Sequence, residues 1–203
     1  MSATSAHKFT AHLENAAGAR VDTSNDWHSD LIFGLQLEQH RHDERYHPGI
    51  SRLTMHHRLN HMALHFAKYA GRVADAVQSG DHSDIDRTLT DIAIIALSSA
   101  NVLNVHLGNN FKNNIKHSEL LFDDIDLVTL LVHVTKASGR MAKACESVDH
   151  IEAAPLREEM TTAVIDLFRA AVEFSTLRNL DLATSIPERL ENVRETKLFH
   201  GHI

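Results

Sequence analysis

The stretch HFAKYAGRVADAVQSGDH, residues 65–82, returns as HVTKASGRMAKACESVDH, residues 133–150. Nine of the eighteen positions are identical at a constant offset: His65, Lys68, Gly71, Arg72, Ala74, Ala76, Ser79, Asp81 and His82 recur as His133, Lys136, Gly139, Arg140, Ala142, Ala144, Ser147, Asp149 and His150. Composition alone would give about one identity, and shared helical patterning raises that background without reaching half. After a three-residue insertion, Ile85 to Leu97 aligns with Leu156 to Phe168. The chain therefore reads as two copies of a helical hairpin, repeat one about 51–107 and repeat two about 123–199. A hairpin of this kind cannot bury its apolar face alone, and two packed together make a four-helix core with an approximate internal two-fold.

Outward from the repeat, every segment has helical period. Leu59, Met62, Phe66, Tyr69, Val73 and Val77 form one apolar face of a helix that Ser51 would cap and that ends near Ser79. Gly80 to Ser83 is a turn. The next helix, Asp84 to about His106, is apolar most of the way round and belongs at the centre of the fold. Two further helices span about Asp123–Ser147 and, from Pro155, to about Asn179. Ser185-Ile186-Pro187-Glu188 reads as a capping box that opens a short last helix to about Phe199. An additional N-terminal helix, Trp27 to about Glu44, carries Trp27, Leu31 and Leu35 at i, i+4, i+8, with Ile32 and Leu37 alongside. Residues 1–25 are polar and aperiodic and read as a flexible arm, with 26–203 as a single domain. No segment alternates with period two for strand length. The expected class is all-α: a four-helix-bundle core with an extra helix at each end.

Composition narrows the function classes. With 43% apolar and 23% charged residues in 203, a core is available and wholesale disorder is excluded. A net charge of −7 argues against a large nucleic-acid footprint. Cys145 is the single cysteine, so no internal disulfide framework exists. The first 25 residues hold no apolar segment of a secretory signal. The richest apolar run, Ile92 to Val105, is broken by Ser98, Ser99, Asn101 and Asn104, so no membrane span is expected. A cytoplasmic protein, with an oligomer of whole chains left open, is the expectation. Position 145 aligns with Val77, so Cys145 reads as a small buried hydrophobe. Each repeated glycine, Gly71 and Gly139, costs about 1 kcal/mol against alanine in mid-helix. Either two helices approach closely there, or both glycines are relics of the duplication.

At these residues the unit resembles the all-α nucleoside triphosphate pyrophosphatases, the MazG-like and dimeric dUTPase-like proteins. That family carries E-E-x-G-E-L-x-E-A on one helix and E-x-x-D on the next. Lys68-Tyr69-Ala70-Gly71-Arg72-Val73-Ala74-Asp75-Ala76 keeps the glycine, the apolar position, the last acid and the alanine. Repeat two reads Lys136-Ala137-Ser138-Gly139-Arg140-Met141-Ala142-Lys143-Ala144. Leu180-Asp181-Leu182 and Glu188 to Arg194 are similar to the family's closing turn and helix. In the family the acids hold Mg²⁺, an ion that wants oxygen ligands. Here Lys68, Tyr69 and Arg72, then Lys136, Ala137 and Arg140, stand at the first three acidic positions. Thr88 and Asp91, then Glu159 and Thr162, stand at the E-x-x-D positions, so each repeat keeps half a pair.

The resemblance implies the scaffold and a degenerate site. Lys and Arg bind phosphate without a metal. His65, Lys68, Arg72, His133, Lys136 and Arg140 are therefore candidate ligands for a nucleotide or other phosphorylated anion. The structural alternative pairs Lys68 and Arg72 with Asp91 and Asp84, and Lys136 and Arg140 with Glu159 and Asp166. Were catalysis retained, Asp91, Glu159 and Asp75 would be the acids and Mg²⁺ the cofactor. A helical scaffold without a ligand is the third class.

Histidine is over-represented, at 17 residues. His57, His61 and His65 lie at i, i+4, i+8, within about an 80° sector of one helix face. Such spacing can chelate zinc or nickel, with a further ligand from His40, His42 or His47. Lys68 and Arg72 share the face and oppose a dication. His65 and His133 recur by position; the structural reading makes each a packing histidine satisfied by its partner hairpin. His82 and His150 suit helix C-termini.

Overall fold

The computed structural model describes residues 27–110 and 126–198. The arm at 1–25, most of the 108–118 connector and the tail histidines His200 and His202 lie outside the described residues. Seven helices are placed: α1 Trp27–Tyr46, α2 Pro48–Ser51, α3 Met55–Ser79, α4 Ile85–Val102, α5 Leu127–Asp149, α6 Leu156–Leu177 and α7 Leu182–Leu198. The described residues hold no strand, and the class is all-α. No described helix is long and apolar enough to cross a membrane.

The four long helices α3 to α6 pack in a ring, α3 on α4, α4 on α6, α6 on α5 and α5 on α3. His56, at the start of α3, bonds Asp149, at the end of α5, at 2.9 Å, so these two helices run antiparallel. The repeat is visible in burial. Leu59, Met62, Phe66, Tyr69, Val73 and Ala76 are the buried residues of α3. Their repeat partners Leu127, Leu130, Val134, Ala137, Met141 and Ala144 are all buried on α5. Leu89, Ile92, Ala93, Ala96, Leu97 and Ala100 on α4 likewise match Met160, Ala163, Val164, Leu167, Phe168 and Ala171 on α6, all buried. Cys145 is buried, and burial pushes its thiol pKa up, as a packing residue requires.

Several boundaries differ from the sequence expectation, each for a local reason. Thr54, not Ser51, caps α3, accepting from the His57 amide at 3.4 Å. Ser51 instead ends the four-residue α2, which Pro48 starts from a position where proline needs no amide. Helix α4 stops at Val102 because Asn104 turns left-handed at φ 52, and Val105 then bonds back to Ala100. Ser185 and Pro187 do not open α7. Asp181 does, accepting from the Ala183 amide at 3.0 Å, and Pro187 lies inside the helix. Gly71 and Gly139 give no close helix approach, since a Cβ on either would meet nothing within 4 Å. Both read as relics of the duplication.

Helix α1 also buries a different face from the one expected. Ile32 and Leu35 are buried, but so are Gln36, Gln39 and His42, while Leu37 is exposed. Gln36, Gln39 and the half-buried Asp43 have partners on α4. Gln36 Nε2 donates to Asn101 Oδ1 at 3.0 Å, Asn101 Nδ2 to Gln39 Oε1 at 2.9 Å, and Ser98 Oγ to Asp43 Oδ2 at 2.8 Å. The residues that interrupt the apolar run of α4 thus receive α1. Helices α1 and α7 pack on each other and on α4. The extra helices therefore cover the first repeat.

Candidate functional site

Asp91 is 8% exposed on α4. Arg189 of α7 grips both its oxygens, Nε to Oδ1 at 2.8 Å and Nη2 to Oδ2 at 3.4 Å. Arg72 of α3 adds Nη1 to Oδ2 at 3.2 Å. Two guanidiniums thus share one carboxylate, a charge-assisted arrangement that Arg forms better than Lys. Lys68 lies one turn before Arg72 and has no carboxylate within ion-pair distance among the described residues. Its ammonium donates to His65 Nδ1 at 2.9 Å and sits 4.4 Å from the Tyr69 ring centroid. Burial, then Arg72, lowers the Lys68 pKa. Tyr69 is buried, and burial with the nearby Asp91 charge pushes its hydroxyl pKa up, so it stays protonated and offers its ring face to the cations.

His65 belongs to this group as a neutral residue. Burial, then the charges of Lys68 and His61, lower its pKa to about 4. With Nδ1 accepting from Lys68, the proton sits on Nε2, which faces His61 Nε2 at 3.2 Å.

The second repeat is balanced. Arg140 bonds Asp166 across the α5–α6 hairpin, and Arg169 pairs with Glu173 at 2.5 Å. His133 is depressed by burial, then Lys136, with Asp166 and Glu173 opposing. Each predicted triplet thus takes charged partners from its own hairpin, and they form two sites. Of the four expected pairs, Arg140 with Asp166 forms, and Asp91 takes Arg72 in place of Lys68. Asp84 pairs with Arg87 at 2.7 Å instead of a residue of α3. Lys136 and Glu159 make no ion pair with each other among the described residues. Glu159 and Thr162 are exposed where Thr88 and Asp91 are buried.

Beside Arg72, a groove of about 200 Å³ is lined by Asp75, Asp81, Asp84, Ser79 and Thr88. With Asp84 paired to Arg87, Asp75 and Asp81 still outnumber Arg72 here and disfavour phosphate, so the surplus positive charge lies on the Lys68 and Arg189 side. Arg189 escaped the sequence reading, which treated Glu188 to Arg194 as a closing helix. Its only signal was a cation facing a helix already known to carry Asp91.

The α3 histidines do not form a three-ligand metal group. His57 Nδ1 is 2.7 Å from Thr54 Oγ1 at the helix cap, leaving His61 and His65 as a pair. Among the described residues, the trio whose ligand atoms all lie within 4.8 Å of one another is His42, Asp43 and His47. The sequence reading had named the two histidines only as supplementary ligands and had passed over the acid.

No family model, curated protein or solved structure matches this chain.

Proposed function

We propose that the chain is a MazG-like pyrophosphatase-fold protein that has exchanged its Mg²⁺ site for a cationic one and binds a phosphorylated anion, such as a nucleotide, without strong Mg²⁺-dependent hydrolysis. One observation carries the reading: Lys68, Arg72 and Arg189 gather around the single carboxylate of Asp91. One acid cannot neutralise three cations, and a phosphate is the anion that Arg and Lys recognise best. The site joins the first hairpin to α7, which supplies Arg189. The second repeat, with Arg140 matched to Asp166, serves as its structural counterweight.

Retained hydrolysis is the less supported reading, because both oxygens of Asp91 are occupied by guanidiniums that a Mg²⁺ ion would have to displace.

Isothermal titration with pyrophosphate and a panel of nucleoside triphosphates, with and without Mg²⁺, tests the proposal. Saturable binding without Mg²⁺ is expected, weakened at least about tenfold by Lys68→Gln or Arg72→Gln and unaltered by Lys136→Gln. No heat at millimolar ligand overturns it. Pyrophosphate release that Asp91→Asn abolishes would establish the enzyme instead.

A further inference from the structure

We propose that His42, Asp43 and His47 form a binding site for one zinc-class divalent ion, with a fourth coordination position open to the cavity between α1 and α7.

The first argument is an orphaned ring. His42 is 8% exposed, and neither Nδ1 nor Nε2 has a hydrogen-bond partner. A neutral imidazole always presents one donor and one acceptor, and leaving both buried and unmatched costs free energy that a bound ion would recover. Asp43 Oδ1 stands 3.8 Å from Nδ1, too far for a hydrogen bond.

The second argument is the carboxylate. Gln39 Nε2 at 2.6 Å and Ser98 Oγ at 2.8 Å both donate to Asp43 Oδ2. One oxygen is thereby anchored, and Oδ1 is left for the imidazoles. Hydrogen bonds that fix a ligand's orientation are a regular feature of metal sites.

The third argument is the chain path. His47 follows the end of α1, and its amide still bonds the Asp43 carbonyl at 2.9 Å. Pro48 then turns the chain, so the His47 ring comes back beside its helix, 5.4 Å from the His42 ring. A tetrahedral ion bound at about 2.0–2.1 Å holds its ligand atoms roughly 3.3 Å apart. Ligand atoms within 4.8 Å reach that spacing by side-chain rotation.

The donor set selects the ion. Two imidazoles and one carboxylate suit zinc, cobalt or iron(II), whereas Mg²⁺ prefers oxygen throughout. Three protein ligands are one short of a closed tetrahedron. Of the three, His42 lines a cavity of about 200 Å³, together with Glu38, Arg41, Arg45 and Glu191, and a non-protein ligand entering from that side would fill the fourth position. Its two acids offset its two arginines, leaving the charge of Asp43 to meet the ion. This site is separate from the cation cluster at Asp91, and neither proposal depends on the other.

The test is a cobalt(II) titration of the full, untagged chain after chelator dialysis, read by visible absorption and by metal analysis, with zinc as competitor. One equivalent of cobalt with ligand-field bands, displaced by zinc and not by Mg²⁺, is expected. His47→Ala and Asp43→Asn should weaken binding by about tenfold to a hundredfold, and His57→Ala should leave it unchanged. A featureless spectrum, or His47→Ala binding as tightly as wild type, overturns the proposal. So does loss of the ion in a His57→Ala, His61→Ala double variant, which would place it on α3. His42→Ala risks the fold because the ring is buried; His47 is half-buried, and its variant decides the matter alone.

Discussion

The two hairpins share one apolar register and differ in what lies over it. On α3 and α5, the same six repeat positions are buried in each copy. On the second helix of each hairpin the polar positions part. Thr88 and Asp91 are buried, Asp91 in the grip of Arg189 from α7, whereas Glu159 and Thr162 are exposed. A duplicated core constrains its apolar positions in both copies, because each helix must still bury one face against the other hairpin. At these two positions burial follows local cover, and α7 lies over the first copy, where its Arg189 reaches Asp91. An acid under cover needs cations, and α7 supplies Arg189.

Breaking the pairs should expose that difference most strongly. Asp91→Asn leaves the half-buried Arg72 and Arg189 without a counter-charge, and the loss of one member of a buried pair is strongly destabilising. A loss of about 2–3 kcal/mol is expected, below the full range for such pairs because both arginines reach solvent. Asp166→Asn, at a solvent-exposed pair in the second copy, should cost under about 1 kcal/mol. Urea denaturation of both variants checks this, and equal losses would mean that the cover does not matter.

Acid should sharpen the same contrast. The neutral form of His65 is favoured in the fold, since its pKa falls from 6.5 to about 4, through burial first and Lys68 second. A base with a depressed pKa binds its proton more weakly folded than unfolded. Stability is therefore intact above pH 6.5 and declines as pH falls from 6.5 toward 4. His65→Gln should flatten that decline in thermal melts at a series of pH values. His133→Gln should flatten it less, because Asp166 and Glu173 oppose the depression of His133.

The repeat was legible because apolar periodicity is a local property, and nine identities survive across one helix and the turn that follows it. The Arg140–Asp166 pair was legible for a similar reason, since helix spacing brings the two within reach across a hairpin. Arg189 was not, because its contact with Asp91 depends on how α7 crosses α4. The His42 trio was hidden by a different cause. Leu31, Leu35 and Leu37 suggested an ordinary amphipathic α1, yet the helix buries Gln36, Gln39 and His42, whose neighbours come from α4 and from the turn after Tyr46. A polar interface of this kind has no apolar stripe to announce it.

The smallest effects concern how each copy ends its first helix. Gly80 closes α3 in the left-handed conformation at φ 70. Val148 occupies the matching position in the second copy, and without a glycine there α5 runs on to Asp149. The left-handed turn then falls on Ile151, at φ 56, where Glu152 bonds back to Ser147. A β-branched residue is strained there, because its Cβ crowds the backbone at positive φ. Ile151 is 92% exposed, so its side chain contributes little packing to set against the strain. Ile151→Gly should therefore stabilise the chain by about 1 kcal/mol, the scale of the left-handed penalty. Gly80→Ala should destabilise it by a similar amount, because it brings the same strain to the first copy. Gly71→Ala and Gly139→Ala, in helical backbone with open space around each Cβ, should each stabilise by up to about 1 kcal/mol. Opposite signs for alanine at Gly80 and at Gly71, measured in the same urea series, would separate a glycine the fold requires from one it merely inherited.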